Sequence, residues 1–171
     1  MIHKSTIIAS AEIKDNYRYW LKREWDISKE IGVFIALNPS YATDLKCDQT
    51  MCNINNLSIK WGWGGFYILN LFAFMATNRN DMLAADNPVG DENDTHIARI
   101  CAECKTIILS WGVENPMRVA GRANVVKDIL KDLNKEVFCL YENIGGGYRH
   151  PCIINIEDYT QPMPIFLTAH L

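Results

Sequence analysis

Apolar residues gather into four short continuous runs separated by segments with helical spacing. The runs are Gly32–Leu37 (GVFIAL), Phe66–Phe72 (FYILNLF), Lys105–Trp111 (KTIILSW) and Glu136–Tyr141 (EVFCLY). Runs of this length, rich in β-branched and aromatic residues, suit strands covered on both faces of a central parallel sheet. Between them, residues 48–60 place Met51, Ile54 and Leu57 at three-residue spacing, which predicts a helix. Residues 91–104 open on acidic side chains suited to a helix N-terminal turn. Residues 122–133 carry Val125, Val126, Ile129, Leu130 and Leu133 on one helical face. Upstream, residues 17–25 (YRYWLKREW) alternate, with Tyr17, Tyr19, Leu21 and Arg23 on one strand face and Arg18, Trp20, Lys22 and Glu24 on the other. That alternation predicts an edge strand or hairpin.

Strands alternating with helix-length spacers define an α/β architecture, and right-handed crossovers make the four-stranded sheet mostly parallel. No repeat, linker or low-complexity tract divides the 171 residues, so one domain over residues 1–171 is expected. In open α/β sheets, ligands bind outside the carboxyl ends of the strands. That rule selects Asn38-Pro39-Ser40-Tyr41, Asn70, Trp111-Gly112 and the loop that runs through Gly145-Gly146-Gly147 to Arg149-His150-Pro151.

Composition narrows the class. Hydrophobic residues make up 49% and charged residues 22%, as in an ordinary globular domain. A net charge of −3 argues against a basic, non-specific nucleic-acid binder but leaves room for local grip through a few Arg and Lys. No stretch reaches the ~20 apolar residues of a membrane span, and the first ten residues hold too short an apolar run for an export signal, so the default compartment is the cytoplasm. The six cysteines read most simply as free thiols. Cys101 and Cys104 form a CxxC, and Cys47 and Cys52 lie close in sequence, but no Cys-His ligand spacing accompanies them. Cysteines three apart near a helix end face a core, so neither metal nor cofactor is assigned.

Each polar candidate has two readings. Asn38 either aims at a ligand or water, or satisfies turn backbone before Pro39. Asn70 interrupts an apolar strand; a buried amide must find partners, either in a neighbouring loop or on a ligand edge. His150 sits in a glycine-rich loop and is the residue type best suited to stabilise charge near neutral pH, or it is a surface histidine. Asp44, Asp48, Asp86 and Asp91 are possible acids. Arg79, Arg118, Arg122 and Arg149 are possible phosphate contacts or solvated charges. Neither phosphate-loop motif nor a nucleophile elbow is present.

The order YRYWL, ALNPS with Asp48-Gln49-Thr50, WGWGG, NLFAF, DNPVG, SWG, Gly121-Arg122 and RHP resembles a family of small bacterial and phage proteins labelled only as a domain of unknown function. The chain departs from that pattern at Gln49 and Tyr148, where proline is usual. More remotely, four segments resemble the uracil-DNA glycosylase superfamily in the same order. Leu37-Asn38-Pro39-Ser40 resembles the water-activating motif in its Asn variant. Tyr67-Ile68-Leu69-Asn70 resembles the strand whose Asn reads the flipped base. Ile107–Gly112 resembles the strand ending in Trp-Gly, and His150-Pro151 the start of the leucine-loop motif.

This second resemblance implies a three-layer α/β/α sandwich around a four-stranded, mostly parallel sheet, preceded by the N-terminal hairpin or edge strand. It implies that Asn70 recognises a base, His150 stabilises the departing base and Asn38 positions a water. Pro39, Ser40, Tyr41, Phe72, Trp111, Gly112 and Arg149 would complete the substrate site, with Tyr41 or Phe72 stacking on the base. The substrate would be an altered or modified base in DNA or in a free nucleotide. An amide is no general base, so Asp44 or Asp48 would have to supply an acid. After Pro151, Cys-Ile-Ile-Asn replaces the small residues that would wedge into a duplex. Two other readings therefore stand: a module of phage–host conflict that binds a nucleotide or nucleobase without cleaving it, and a metal-dependent nucleotide hydrolase using Asp48 or Asp86.

Overall fold

Parallel pairing of the apolar runs organises the molecule, and the computed structural model describes residues 6–41 and 48–167. In chain order the elements are β1 (Ile8–Lys14), β2 (Tyr17–Glu24), β3 (Ile31–Ala36), α1 (Gln49–Lys60), β4 (Gly65–Asn70), α2 (Arg79–Ala84) and α3 (Asn93–Glu103). Then come β5 (Ile107–Leu109), β6 (Gly112–Val113), α4 (Met117–Asp132), β7 (Val137–Cys139), β8 (Gly147–Tyr148), a 3-10 turn (Ile156–Asp158) and β9 (Met163–Ile165). The main sheet has the order β1-β2-β4-β3-β5-β7-β9. Its central strands β4, β3, β5 and β7 are the four apolar runs, and they are parallel.

The sheet is wider than the expected four strands. The N-terminal hairpin β1–β2 adds antiparallel to β4, and β9 adds antiparallel to β7. β2 is therefore an interior strand. The short β6 and β8 pair separately. β9 is three residues with a central proline, too brief to carry a period-2 signature.

Side chains alternate between two cores, as strands require. Val33, Ile35, Leu69, Ile107 and Leu109 pack with Ile97 and Ile100 of α3 and with Val119, Ala123, Val126 and Leu130 of α4. Phe34, Ala36, Phe66, Ile68 and Ile108 pack with Met51, Ile54 and Leu57 of α1. Helices thus cover both faces. α4 begins five residues before the expected Arg122, behind Pro116, and buries the row 119, 123, 126, 130. Val125 is exposed. Arg122 is buried, not a phosphate contact: its Nε donates to Leu71 O at 2.7 Å and its guanidinium pairs with Asp94. Cys101 and Cys104 lie in the core, where burial pushes their thiols up to about 12 and about 11. Cys47 and Asp44 lie outside the described residues. Among those residues, no helix is long and apolar enough to cross a membrane.

The hairpin contains an irregularity. Glu12 pairs with Trp20, but the next residue, Ile13, pairs with Arg18, so Tyr19 is an extra residue in β2. Such a β-bulge breaks alternation and turns the following side chains to the other face. Tyr19 stacks on His96 of α3 with centroids 4.9 Å apart. Trp20 packs against the same core as α3 and α4. Arg18, expected on the Trp20 face, instead reaches the α1 side.

Gly32 in β3 is crowded by Trp63: a Cβ there would fall 2.1 Å from the buried indole ring. Gly32→Ala should cost about 1–3 kcal/mol through overpacking, lowering Tm by roughly 2–4 °C per kcal/mol in a chain of this size. Differential scanning calorimetry checks it, and an unchanged Tm would contradict this packing of Trp63 on β3.

Candidate functional site

The carboxyl ends of β3 and β4 lie side by side because the two strands pair in register from Ile31↔Gly65 to Ala36↔Asn70. The pairing continues past both strands, with Leu71 N–H donating to Ala36 O and Phe72 N–H to Leu37 O. The loops beyond are tied together. Ala76 N–H donates to Pro39 O at 3.0 Å, and Asn38 Nδ2 donates to Ala76 O at 2.9 Å and to Pro39 O at 3.2 Å. The amide of Asn38 therefore performs the turn role. Among the described residues, its Oδ1 accepts no hydrogen bond.

A cavity of about 210 Å³ opens at this point. Asn38, Asn70 and His150 all line it, together with Ser40, Asp48 and Arg18. Its floor is Ala36 and Ile68 from the sheet, with Thr50 and Met51 of α1 and Ala76 and Thr77 at the sides. The volume is below the ~300–1,000 Å³ of sites for drug-sized ligands, so its size fits only a compact molecule.

Asn70 is 1% exposed, and its Nδ2 is buried with no hydrogen-bond partner among the described residues. Its own backbone carbonyl is satisfied by Asn93 Nδ2 at 3.1 Å. An unmet buried donor costs about 1–3 kcal/mol. A strand can carry that penalty where a ligand supplies the missing acceptor.

His150 is held on two sides. The β6–β8 ladder, Gly112↔Tyr148, delivers it, and Asn53 Nδ2 on α1 grips Pro151 O at 2.6 Å. Gln49 supports that grip by donating to Asn53 Oδ1 at 2.9 Å. Cys152 N–H donates to His150 Nδ1 at 3.2 Å. A neutral ring bonded this way carries its proton on Nε2. Burial holds the imidazole below its ordinary value of 6.5, against a smaller upward pull from the Asp48 carboxylate. Asp48 is the N-cap of α1: its Oδ1 accepts Met51 N–H at 2.8 Å, and Ser40 Oγ donates to Oδ2 at 3.5 Å.

The other expected site residues lie elsewhere. Tyr41 is 60% exposed and is not part of the cavity wall. Phe72 is a fully buried core residue. Trp111 is equally buried, donates from Nε1 to Glu114 and packs edge-on against Tyr148 with centroids 5.0 Å apart. Aromatic residues at strand ends resemble stacking platforms in sequence, but here the layers above the sheet cover them. Pro39 is buried behind the loop tie. Gly112 adopts φ +87° beside His150, where a Cβ would lie 3.9 Å from the His150 Cβ, so it shapes the turn that presents the ring. Arg149 stacks 6.0 Å over Tyr141. Arg79 donates to the loop carbonyl of Asn115, and Arg118 to the carbonyl of Leu83 in α2. Asp86 lies on an exposed turn away from the cavity wall, and Asp91 accepts from Asn87. Sequence reading missed Arg18 and the threonines, and named Asp48 only as one acid among several.

The chain belongs to the family described as protein of unknown function (DUF1643), whose model matches residues 18–152. That span includes Arg18 and every candidate around the cavity. No curated protein and no solved structure matches the chain.

Because the folded pKa of His150 is depressed, the unfolded chain binds a proton that the folded site refuses. Stability should fall as pH drops below about 6.5 and level off below the folded pKa. NMR titration of the His150 ring should give a midpoint below 6.5, and Asp48→Asn should lower it further while keeping an N-cap. A midpoint above 6.5 would contradict the partly buried, neutral imidazole.

Proposed function

We propose that the cavity binds a nucleobase and that the protein hydrolyses the N-glycosidic bond of an altered or modified base. The observation that carries this reading is the buried, unpartnered Nδ2 of Asn70 in a cavity it shares with His150 and Asn38. A ring with hydrogen-bonding edges meets that need, and a carboxamide offers both a donor and an acceptor to it. In the same reading, the two helix layers around parallel strands form a three-layer sandwich of the uracil-DNA glycosylase kind. The ordered segments at Leu37–Ser40, Tyr67–Asn70, Ile107–Gly112 and His150-Pro151 support it.

Breaking the bond leaves the electron pair on the base and builds positive charge on the sugar. His150 Nε2–H, held neutral by burial and fixed by Cys152 N–H, donates to the departing base. Asn38 Oδ1 accepts from the attacking water and orients it. The water's oxygen bonds to the sugar carbon, and its proton passes to the Asp48 carboxylate, which also faces the positive sugar. A base within a duplex would first have to leave the stack.

A second reading, retention of a nucleobase without cleavage, draws on one observation: Asn38 is an amide whose Nδ2 is spent on the loop tie. The metal-dependent hydrolase reading has less support, since Asp86 stands apart from Asp48 and the cavity.

The test is base release from single- and double-stranded oligonucleotides carrying uracil, hypoxanthine, 5-hydroxymethyluracil or modified cytosines, with abasic sites revealed by alkali. His150→Ala should slow release about 10²–10³-fold, the cost of one such donor, and Asn38→Ala should also slow it. No release from any substrate by folded protein would overturn hydrolysis in favour of retention. Asn70→Leu separates function from folding: it should abolish base binding while leaving Tm unchanged or raised, because it removes an unmet donor. A large fall in Tm would show the amide to be structural.

A further inference from the structure

The bulge at Tyr19 has a chemical consequence. With regular alternation, Arg18 would share the face of Trp20 and Lys22, away from α1. The extra residue turns it into the cavity, where it is 6% exposed beside Asn70. Bulges re-aim side chains in this way next to functional sites. A guanidinium on a cavity wall presents a fixed positive charge and a fork of N–H donors to whatever occupies the cavity. Asp48 sits in the same cavity at the start of α1. One cavity thus carries a cation on the sheet and an anion on the helix, the two charges that separate when a glycosidic bond breaks.

We propose that Arg18 is a ligand-binding residue that holds the negative charge of the bound ring, so that the cavity selects heterocycles that are anions over neutral rings of the same shape. This rests on the nucleobase reading of the cavity and names the charge state of its ligand. Asn70 supplies the neutral donor to the ring edge, and Arg18 supplies the charge.

Calorimetric titration of the full chain with barbiturate, ionised at neutral pH, and uracil, neutral there, tests it. Wild type should bind barbiturate about ten-fold tighter or more, as a charge-assisted hydrogen bond provides. Arg18→Gln should reduce that preference to parity, weakening barbiturate far more than uracil. Equal affinities in wild type, or a preference that survives in R18Q, would overturn the proposal. The Arg18 Nε–H resonance of wild-type protein gives a reading that needs no variant: it should shift with barbiturate, and a resonance that stays fixed at saturation would overturn the proposal. If neither ring binds wild type, the nucleobase reading fails. Nitrate, a planar anion, then decides the rest: a shift of the Arg18 resonance with nitrate supports Arg18 as an anion-binding group, and no shift overturns that assignment as well.

Discussion

The parallel ladder between β3 and β4 is the constraint on which the rest depends. These strands are central, apolar on both faces and paired in register through Ala36↔Asn70. A one-residue slip would exchange their two faces and bury the wrong side chains in both cores. The fixed register brings Asn38 and Asn70 to adjacent strand ends. Two further bonds, Leu71 N–H to Ala36 O and Phe72 N–H to Leu37 O, carry the ladder beyond the strands. The Asn38–Ala76–Pro39 ties then close the loops, leaving a cavity at the edge of the α1-side core rather than a filled gap.

That cavity is poor for stability and good for binding. It holds a buried amide donor without a partner among the described residues, a guanidinium, a carboxylate and an imidazole whose partial burial favours the neutral form. Polar groups that little water reaches, here Asn70 and Arg18, are electrostatically strong, both as a penalty when unmet and as a source of affinity when met. The scaffold offsets the penalty elsewhere, through two apolar cores that clamp the sheet from both sides. The His150 loop is set by three independent restraints: the β6–β8 ladder, Asn53 on Pro151 O, and Arg149 N–H on Tyr141 O. The two positions where the chain departs from the motif pattern, Gln49 and Tyr148, both support that loop.

Much of this was legible in the sequence. Four continuous apolar runs marked the parallel strands, and the strand-end rule placed Asn38, Asn70 and His150 together. Other features had no sequence signature. β9 is too short to show a period. The first turns of α4 left no hydrophobic pattern because Met117–Gly121 contributes only Val119 to the core. The aromatic ends of strands, Phe72 and Trp111, look alike whether they face a ligand or a helix layer, and only packing separates the two. The bulge at Tyr19 was the most consequential loss. Alternation assigns Arg18 to the face of Trp20, and one unpaired residue reverses that. Asp48 was visible as a cap before an apolar helix, but its place opposite His150 follows from how α1 sits on the sheet.

Asn70 is the central binding donor of the proposed site, and the side-chain amide resonances of protein labelled with nitrogen-15 at asparagine observe it directly. On titration with a free base that binds, the Asn70 Nδ2 protons should move downfield as they gain an acceptor, while those of Asn53, already bonded to Pro151, stay in place. Binding of a base that leaves the Asn70 amide unmoved would contradict the account, because the ring would then sit somewhere other than the cavity at the ends of β3 and β4.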